Sequence, residues 1–466
     1  MTLVLNLSRD APRRGAGWIV IARLGLVQAS IGAVVVLATS TMNRVMVVEL
    51  AMPALLPGAL VALHYMIQVL RPRLGHGSDH GGRRTPWIVG GMALLAAGGV
   101  AAAGAVAWMG TAPGPAIALA VLAYAAIGVG VGASGTSLLV LLAAVVDAPR
   151  RPAAATIVWV MMMAGFAVTA TVAGHLLQPY SPDRLVGVTA EVAGAAVLLT
   201  VLGVWGVERR ASPRLPPAAV AALAPVPAPT VPFATALRQV WAEDRARRFT
   251  IFVFASMLAY SAQELVLEPF AGAVFHLPPG GSTELAGVQH SGALVGMVLL
   301  ALAGSAGRGG FRGGRLGTLR GWTVGGCIAS AVMVLVLAAG AFAGPGWPLR
   351  PAFFVLGLAN GVFAAAAIAS MMQFAQQGRA SREGVRIGLW GGAQAVAFGI
   401  GGLCGTGATD LGRALFGSVP AAYAAVFVIQ AALFCLAALV AARGDDAATT
   451  HAAQTISPTQ AIPMAR

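Results

Sequence analysis

The chain is 466 residues long, 58% hydrophobic and only 10% charged, with a mean hydropathy of +0.80. A soluble chain carries roughly a quarter charged residues, so the composition excludes a water-soluble globular protein and reads as a polytopic membrane protein. The net charge of +14 is all arginine, with no lysine, and the arginines sit in short clusters between apolar runs, which marks membrane loops and argues against a nucleic-acid partner.

The N-terminal segment 1–17 is basic but lacks a short apolar core followed by a small-residue cleavage site, so it reads as a retained cytoplasmic segment. Runs long enough to span a bilayer, about 20 residues, follow near 18–42, 53–71, 86–108, 115–145, 154–177 and 188–207. They make an N-terminal half, 18–207. Segment 208–249 interrupts the pattern with "ERRASPRLPPAAVAALAPVPAPTVP", whose prolines favour an extended tether. Within it Phe233, Leu237, Val240 and Trp241 recur at helical spacing, which predicts a short helix lying on the membrane surface.

A second set of runs falls near 250–272, 284–306, 322–343, 350–376, 384–409 and 419–442, giving a C-terminal half, 250–442. The tail, 443–466, reads as disordered and cytoplasmic. The expected fold class is therefore an all-α polytopic membrane protein of twelve transmembrane helices in two six-helix halves. If the N-terminus is cytoplasmic, all but Arg44, Arg184, Arg350 and Arg413 of the 30 arginines fall on the cytoplasmic side. That asymmetry places both termini on the cytoplasmic side of the membrane.

The halves read as parallel repeats. "RPRLGHGSDHGGRRTPW" after the second run is answered by "GRGGFRGGRLGTLRGW" after the eighth, and "NRVMVVEL" in the first by "QELVLEPF" in the seventh. Gly75, Asp79, Gly82, Arg83 and Arg84 fit G-x-x-x-D-x-x-G-R-R. That pattern resembles the loop signature of major facilitator superfamily transporters, which are built from two six-helix halves. There the Asp and the basic residues form a charge-assisted latch between helix ends.

Other patterns carry less. "GVGASG" (130–135) matches a dinucleotide fingerprint in letters only, because no strand precedes it and no ribose-binding acid follows. Gly128 and Gly132 have the spacing of close helix packing. Cys327, Cys404 and Cys435 are far apart, which argues against a disulfide or zinc framework. Among the histidines, His64, His175, His276 and His290 lack i, i+4 pairing, so no metal site is expected. A lone imidazole such as His64 suits either a hydrogen bond inside the bundle or ligation of a magnesium tetrapyrrole. No nucleophile–base set or Walker loop is present, and no enzyme is expected.

The polar residues inside apolar runs are the site candidates. Glu264 and Glu268, four apart on one face of the seventh run, enter a region where a charge costs about 2.5–3.5 kcal/mol. Counting from Thr250 at 1.5 Å per residue, they lie roughly 21 and 27 Å in. Gln263 adjoins them. The first run brings Asn43 and Arg44 to similar depth, which makes Arg44 the expected partner of Glu268, with Glu49 as a rival. Pro269 is expected to break the helix there. Asn360 and Gln394 are uncharged groups suited to bridging helices or facing a cavity.

Four stretches, "TMNRVMVVEL" (41–50), "QELVLEPFAGAVF" (263–275), "GLANGVFAAAAIASMM" (357–372) and "REGVRIGLWGGAQAVAFGIGG" (382–402), together resemble the PucC/LhaA family of light-harvesting complex assembly proteins. This is the bacteriochlorophyll delivery branch of the major facilitator superfamily. The resemblance runs from about residue 20 to 442. It implies an assembly factor that binds or delivers bacteriochlorophyll to antenna polypeptides, with lipid and pigment-biosynthesis enzymes as further partner classes. Phe270 and Ala271 stand where the family usually has Tyr and Gly, and Glu264 where Asp is common. The rival reading is a proton-coupled transporter of a small molecule. For the two acids three roles stand open: closing an outer gate, carrying a proton, or binding the pigment or its partner.

Overall fold

The computed structural model describes residues 17–68, 83–147, 150–208, 233–305, 318–377 and 383–443. Among these, the regular structure is all helical. The first half contains α1 (Trp18–Glu49), α2 (Leu55–Ile67), α3 (Thr85–Met109), α4 (Pro113–Val145), α5 (Arg151–Leu176) and α6 (Pro182–Val204). A short helix, Phe233–Ala242, precedes the second half: α7 (Asp244–Phe275), α8 (Pro279–Ser305), α9 (Leu319–Ala343), α10 (Leu349–Gln377), α11 (Glu383–Phe416) and α12 (Val419–Ala442). Ten of the twelve are long and apolar enough to cross a membrane, α2 is described over 13 residues, and α11 runs for 34.

Local sequence sets many of the boundaries. Ser181, Thr318 and Ser418 cap α6, α9 and α12 by accepting from the N–H of Arg184, Gly321 and Ala421, as hydroxyl caps do. Gly344 and Gly417 take positive φ (78° and 59°) just beyond α9 and α11, conformations that cost glycine nothing. The Gly-rich run of α4 is a packing surface. A Cβ on Gly128 would lie 2.8 Å from the His64 carbonyl of α2, and one on Gly130 2.6 Å from the Leu95 nitrogen of α3.

Within the first half, α3 packs on α4 and α6, α1 on α5 and α6, and α2 on α4. In the second, α8 packs on α10, α7 on α11 and α12, and α9 on α10 and α12. Two seams join the halves, α2 against α11 and α5 against α8, with α1 crossing α7 between them. The end carrying Trp18 and Ala442 is the termini end; Glu49 and His276 mark the far end.

Three boundaries differ from expectation. α7 begins at Asp244, inside the expected linker, because Asp244 pairs with Arg247 one turn on at 2.6 Å and suits the positive helix start. α1 continues past residue 42 to Glu49 through two π-helical turns, Leu37–Thr41 and Val45–Glu49. Pro269 does not break α7, which runs on to Phe275 and ends at His276 with φ 55°. The latch residues Gly75, Asp79 and Gly82, the tether 209–232, the N-terminal residues 1–16 and the tail from 444 lie outside the described residues.

Candidate functional site

The first π-helical turn of α1 and the α-helical residues that follow it bury a run of polar side chains, Ser40, Thr41, Asn43 and Arg44, against the second half. A π turn closes i→i+5 bonds and is common at functional sites; here the Leu50 N–H donates to the Val45 carbonyl at 3.0 Å. Ser40 donates to the Glu268 carboxylate, and the Thr41 and Thr283 hydroxyls lie 3.1 Å apart. Asn43 Nδ2 donates to the Leu265 carbonyl at 2.7 Å. That carbonyl is the one whose helical donor Pro269 removes, since proline lacks the N–H that would bond four residues back. The other half thus supplies the missing donor, and α7 persists.

Arg44 is 2% exposed. Its guanidinium pairs with Glu49 and donates to the Leu277 carbonyl beyond the end of α7. It lies over Gly272, where a Cβ would sit 2.9 Å from Nε and Nη2. The expected Arg44–Glu268 pair is therefore corrected. In an α-helix residue i+5 points about 140° away, but the π turn returns Glu49 to the side of Arg44, leaving Glu268 to Ser40.

Below this layer, toward the termini end, Glu264 is half-buried. Among the described residues it has no hydrogen-bond or ion-pair partner. One turn away Tyr260 joins an aromatic row that crosses the seam: Tyr260–Phe398 at 5.9 Å, Tyr65–Phe398 at 5.1 Å and Tyr260–Phe363 at 6.3 Å. Across the other seam His290, buried, lies 5.2 Å from the Phe166 ring. Gln28, Met161 and Met162 are partly accessible nearer the termini end.

The remaining candidates are dispersed. His64 bonds Gln68 at 2.9 Å and meets Tyr65 edge-on, so it takes part in a hydrogen-bonded pair. Asn360 accepts from Ser330 at 2.8 Å, bridging α10 and α9. Gln263 is buried in the second half, and Gln394 is half-buried. His175 and His276 are exposed, the former 3.9 Å from Glu284. Cys327 is buried, Cys404 and Cys435 exposed. Among the described residues, no group of three or more His, Cys, Asp or Glu has the arrangement of a metal site.

Of the latch pattern only Arg83 and Arg84 are described. The Arg84 N–H, the Thr85 N–H (3.0 Å) and the Thr85 hydroxyl (2.6 Å) all donate to Glu208, which caps α3 from the end of α6. Burial pushes the Glu208 carboxyl up, but these hydrogen bonds and the charge of Arg83 outweigh it and hold the group below its ordinary value.

Sequence reasoning missed the seam residues. Asp410 of α11 accepts from the Ala54 and Leu55 N–H groups at 2.9 and 2.8 Å, capping α2 across the halves. Glu284 of α8 accepts from Gln178 and from Arg350, both at 3.1 Å. A matched pair of close approaches flanks them: a Cβ on Gly58 would meet Thr406 Oγ1 at 2.0 Å, and one on Gly287 would meet Thr171 Oγ1 at 2.3 Å. The repeat is thus written into the seams. The polar contacts that Ser40, Thr41, Asn43, Arg44, Gln178 and Asp410 make between the halves lie from mid-bundle to the far end.

Comparison with known proteins agrees with this architecture. The profile of the family described as "PUCC protein" matches residues 41–444. The chain is 52% identical over 434 residues to the "Bacteriochlorophyll synthase 44.5 kDa chain" of Rhodobacter capsulatus, covering 92% of this chain and 97% of that one. It is 28% identical to "Protein PucC" of the same organism, covering 89% and 90%. Among solved structures, the nucleoside transporter NupG superposes with a TM-score of 0.64 at 14% identity, covering 91% and 99%, and the D-xylose-proton symporter with 0.64 at 14%, covering 90% and 97%. The likeness shows the fold, that of the major facilitator superfamily.

Proposed function

The chain belongs to the PUCC protein family, and from that premise we propose that it is a membrane assembly factor for bacterial light-harvesting complexes that binds bacteriochlorophyll and delivers it to antenna polypeptides. The observation that carries the reading is the 52% identity, over nearly the full length of both chains, to a relative named for bacteriochlorophyll. The word "synthase" in that name does not make this chain an enzyme in our reading, since its sequence offers no nucleophile–base set. Its partners in this reading are membrane lipid, antenna polypeptides and pigment-biosynthesis enzymes.

The residues suit a planar apolar ring. Tyr65, Phe398 and Tyr260 offer aromatic faces at mid-bundle, where stacking rewards a flat conjugated partner. Glu264 stands a turn away with its carboxylate free to accept from, or ligate, a polar centre on such a ring. With the arginine-rich loops facing the cytoplasm, both termini lie inside. Reporter fusions after Leu215 and Thr455 would both read cytoplasm; an external signal at either would reverse the orientation.

The second reading, a proton-coupled transporter of a small polar solute, draws on Glu264 and Glu268, four apart along α7, in a fold shared with transporters. Deleting the gene in a phototrophic host separates the two. The assembly reading predicts loss of antenna complexes while free bacteriochlorophyll is still made. Normal antenna levels with a defect in proton-dependent solute uptake would favour the transporter.

A further inference from the structure

Three amides inside the second half are almost wholly buried: Gln263 of α7 (0% exposed), Asn360 of α10 (2%) and Gln430 of α12 (1%). Neither the oxygen nor the nitrogen of Gln263 or Gln430 has a partner, and Asn360 Nδ2 has none either. Asn360 Oδ1 is taken by the Ser330 hydroxyl of α9. Five unpaired amide atoms in one half of a membrane bundle are unusual, because buried polar groups in folded proteins are almost always bonded.

The helix registers put all of them at one level. Phe270 of α7 stacks on Tyr423 and Phe427 of α12 at 5.6 and 4.9 Å. Gln263 is seven residues before Phe270, two turns on the same face. Gln430 is seven residues after Tyr423, and α12 runs opposite to α7, so both steps lead toward the termini end and bring the two glutamines to the same level. From the other side, Phe363 of α10 stacks on Phe434 of α12 at 5.8 Å. Asn360 and Gln430 each lie about one turn from that contact, both toward the far end. A Cβ on Gly326 of α9 would lie 2.7 Å from Phe363, and Ser330 is one turn above Gly326.

We infer that this level is a built site for ordered water, one or two molecules held jointly by Gln263, Asn360 and Gln430. The chemistry selects that guest. The amides offer both donors and acceptors, as water requires. None of Gln263, Asn360, Gln430 and the Ser330 that bonds Asn360 is charged, which disfavours a bare ion. Phe270 and Phe427 above, with Phe363 and Phe434 below, close the level to anything larger. The site ties α7 to the other helices of its half. It thereby fixes the rotational setting of α7 that turns Glu268 toward Ser40.

The test is an experimental structure of the full chain in lipid nanodiscs at a resolution that shows ordered water. The expected result is one or two density peaks, each within hydrogen-bond distance of at least two of the three amides. A direct Gln263–Gln430 amide pair with no density between them, or a level with no peak at all, would overturn the inference. The Gln430→Met variant supplies a second reading: its structure should show the density weakened or lost, and density unchanged would remove Gln430 from the site. If that variant fails to fold, the native structure alone decides.

Discussion

Asn43 of one half donates to the Leu265 carbonyl of the other, the carbonyl that Pro269 leaves without its helical donor. Two sequence features that look like separate irregularities, an Asn deep in α1 and a Pro deep in α7, are thus halves of one interaction. It predicts a specific suppression. Asn43→Ala should destabilise by about 0.6–2 kcal/mol, the range for interhelical hydrogen bonds in membranes. Pro269→Ala restores the N–H, so in that background Asn43→Ala should cost much less. A thermal-unfolding cycle over the four proteins measures this, and strict additivity would refute the pairing.

Gly272 is required by the Arg44 guanidinium, because an added Cβ would sit 2.9 Å from Nε and Nη2. Gly272→Ala should push the arginine off the Leu277 carbonyl and lower the melting temperature. Gly325→Ala, where nothing lies within 4 Å, should be neutral or slightly stabilising, as Ala for Gly in a helix. Equal melting temperatures for the two variants would show that Arg44 sits elsewhere.

The acids should separate by partner. Arg44→Gln and Glu49→Gln should show coupling in a double-mutant cycle, while Arg44 and Glu268 should couple weakly. Removing one member of a buried pair can cost about 3–5 kcal/mol, an upper bound here since Glu49 is 37% exposed, so protein level must be followed alongside. Glu268→Gln keeps an acceptor for Ser40 and should leave stability near that of the native chain. Glu264→Gln should leave the protein inserted but impair antenna assembly. Normal antenna assembly in that variant would remove Glu264 from the pigment site.

Glu208 gives the fold an acid limit at the termini end. Its carboxyl is held below the ordinary value in the folded state, so the folded form binds its proton less readily than the unfolded one. The contribution is full above the ordinary carboxylate range and is lost as pH falls through the depressed value. Glu208→Gln should therefore lower the melting temperature at pH 7 and flatten its decline on acidification. An unchanged acid profile would mean that the cap of α3 contributes nothing.

Hydropathy alone made the helices legible, because a bilayer imposes a length rule on every span. The choice between Glu268 and Glu49 as the partner of Arg44 was not legible, because the π turns that bring Glu49 alongside leave no mark in composition. The seams were equally hidden. Asp410 and Ala54 are 356 residues apart, and neither has a feature that announces a cap supplied across the halves. The pigment reading came from resemblance in particular stretches, since an aromatic row such as Tyr65–Phe398–Tyr260 looks like ordinary core until three helices are brought together.

The most direct measurement is an absorption spectrum of the protein gently purified from a bacteriochlorophyll-making host. A bound pigment at the aromatic row predicts a long-wavelength bacteriochlorophyll band copurifying in near-stoichiometric amount, shifted or lost in Glu264→Gln. A colourless preparation from pigment-replete cells would contradict it.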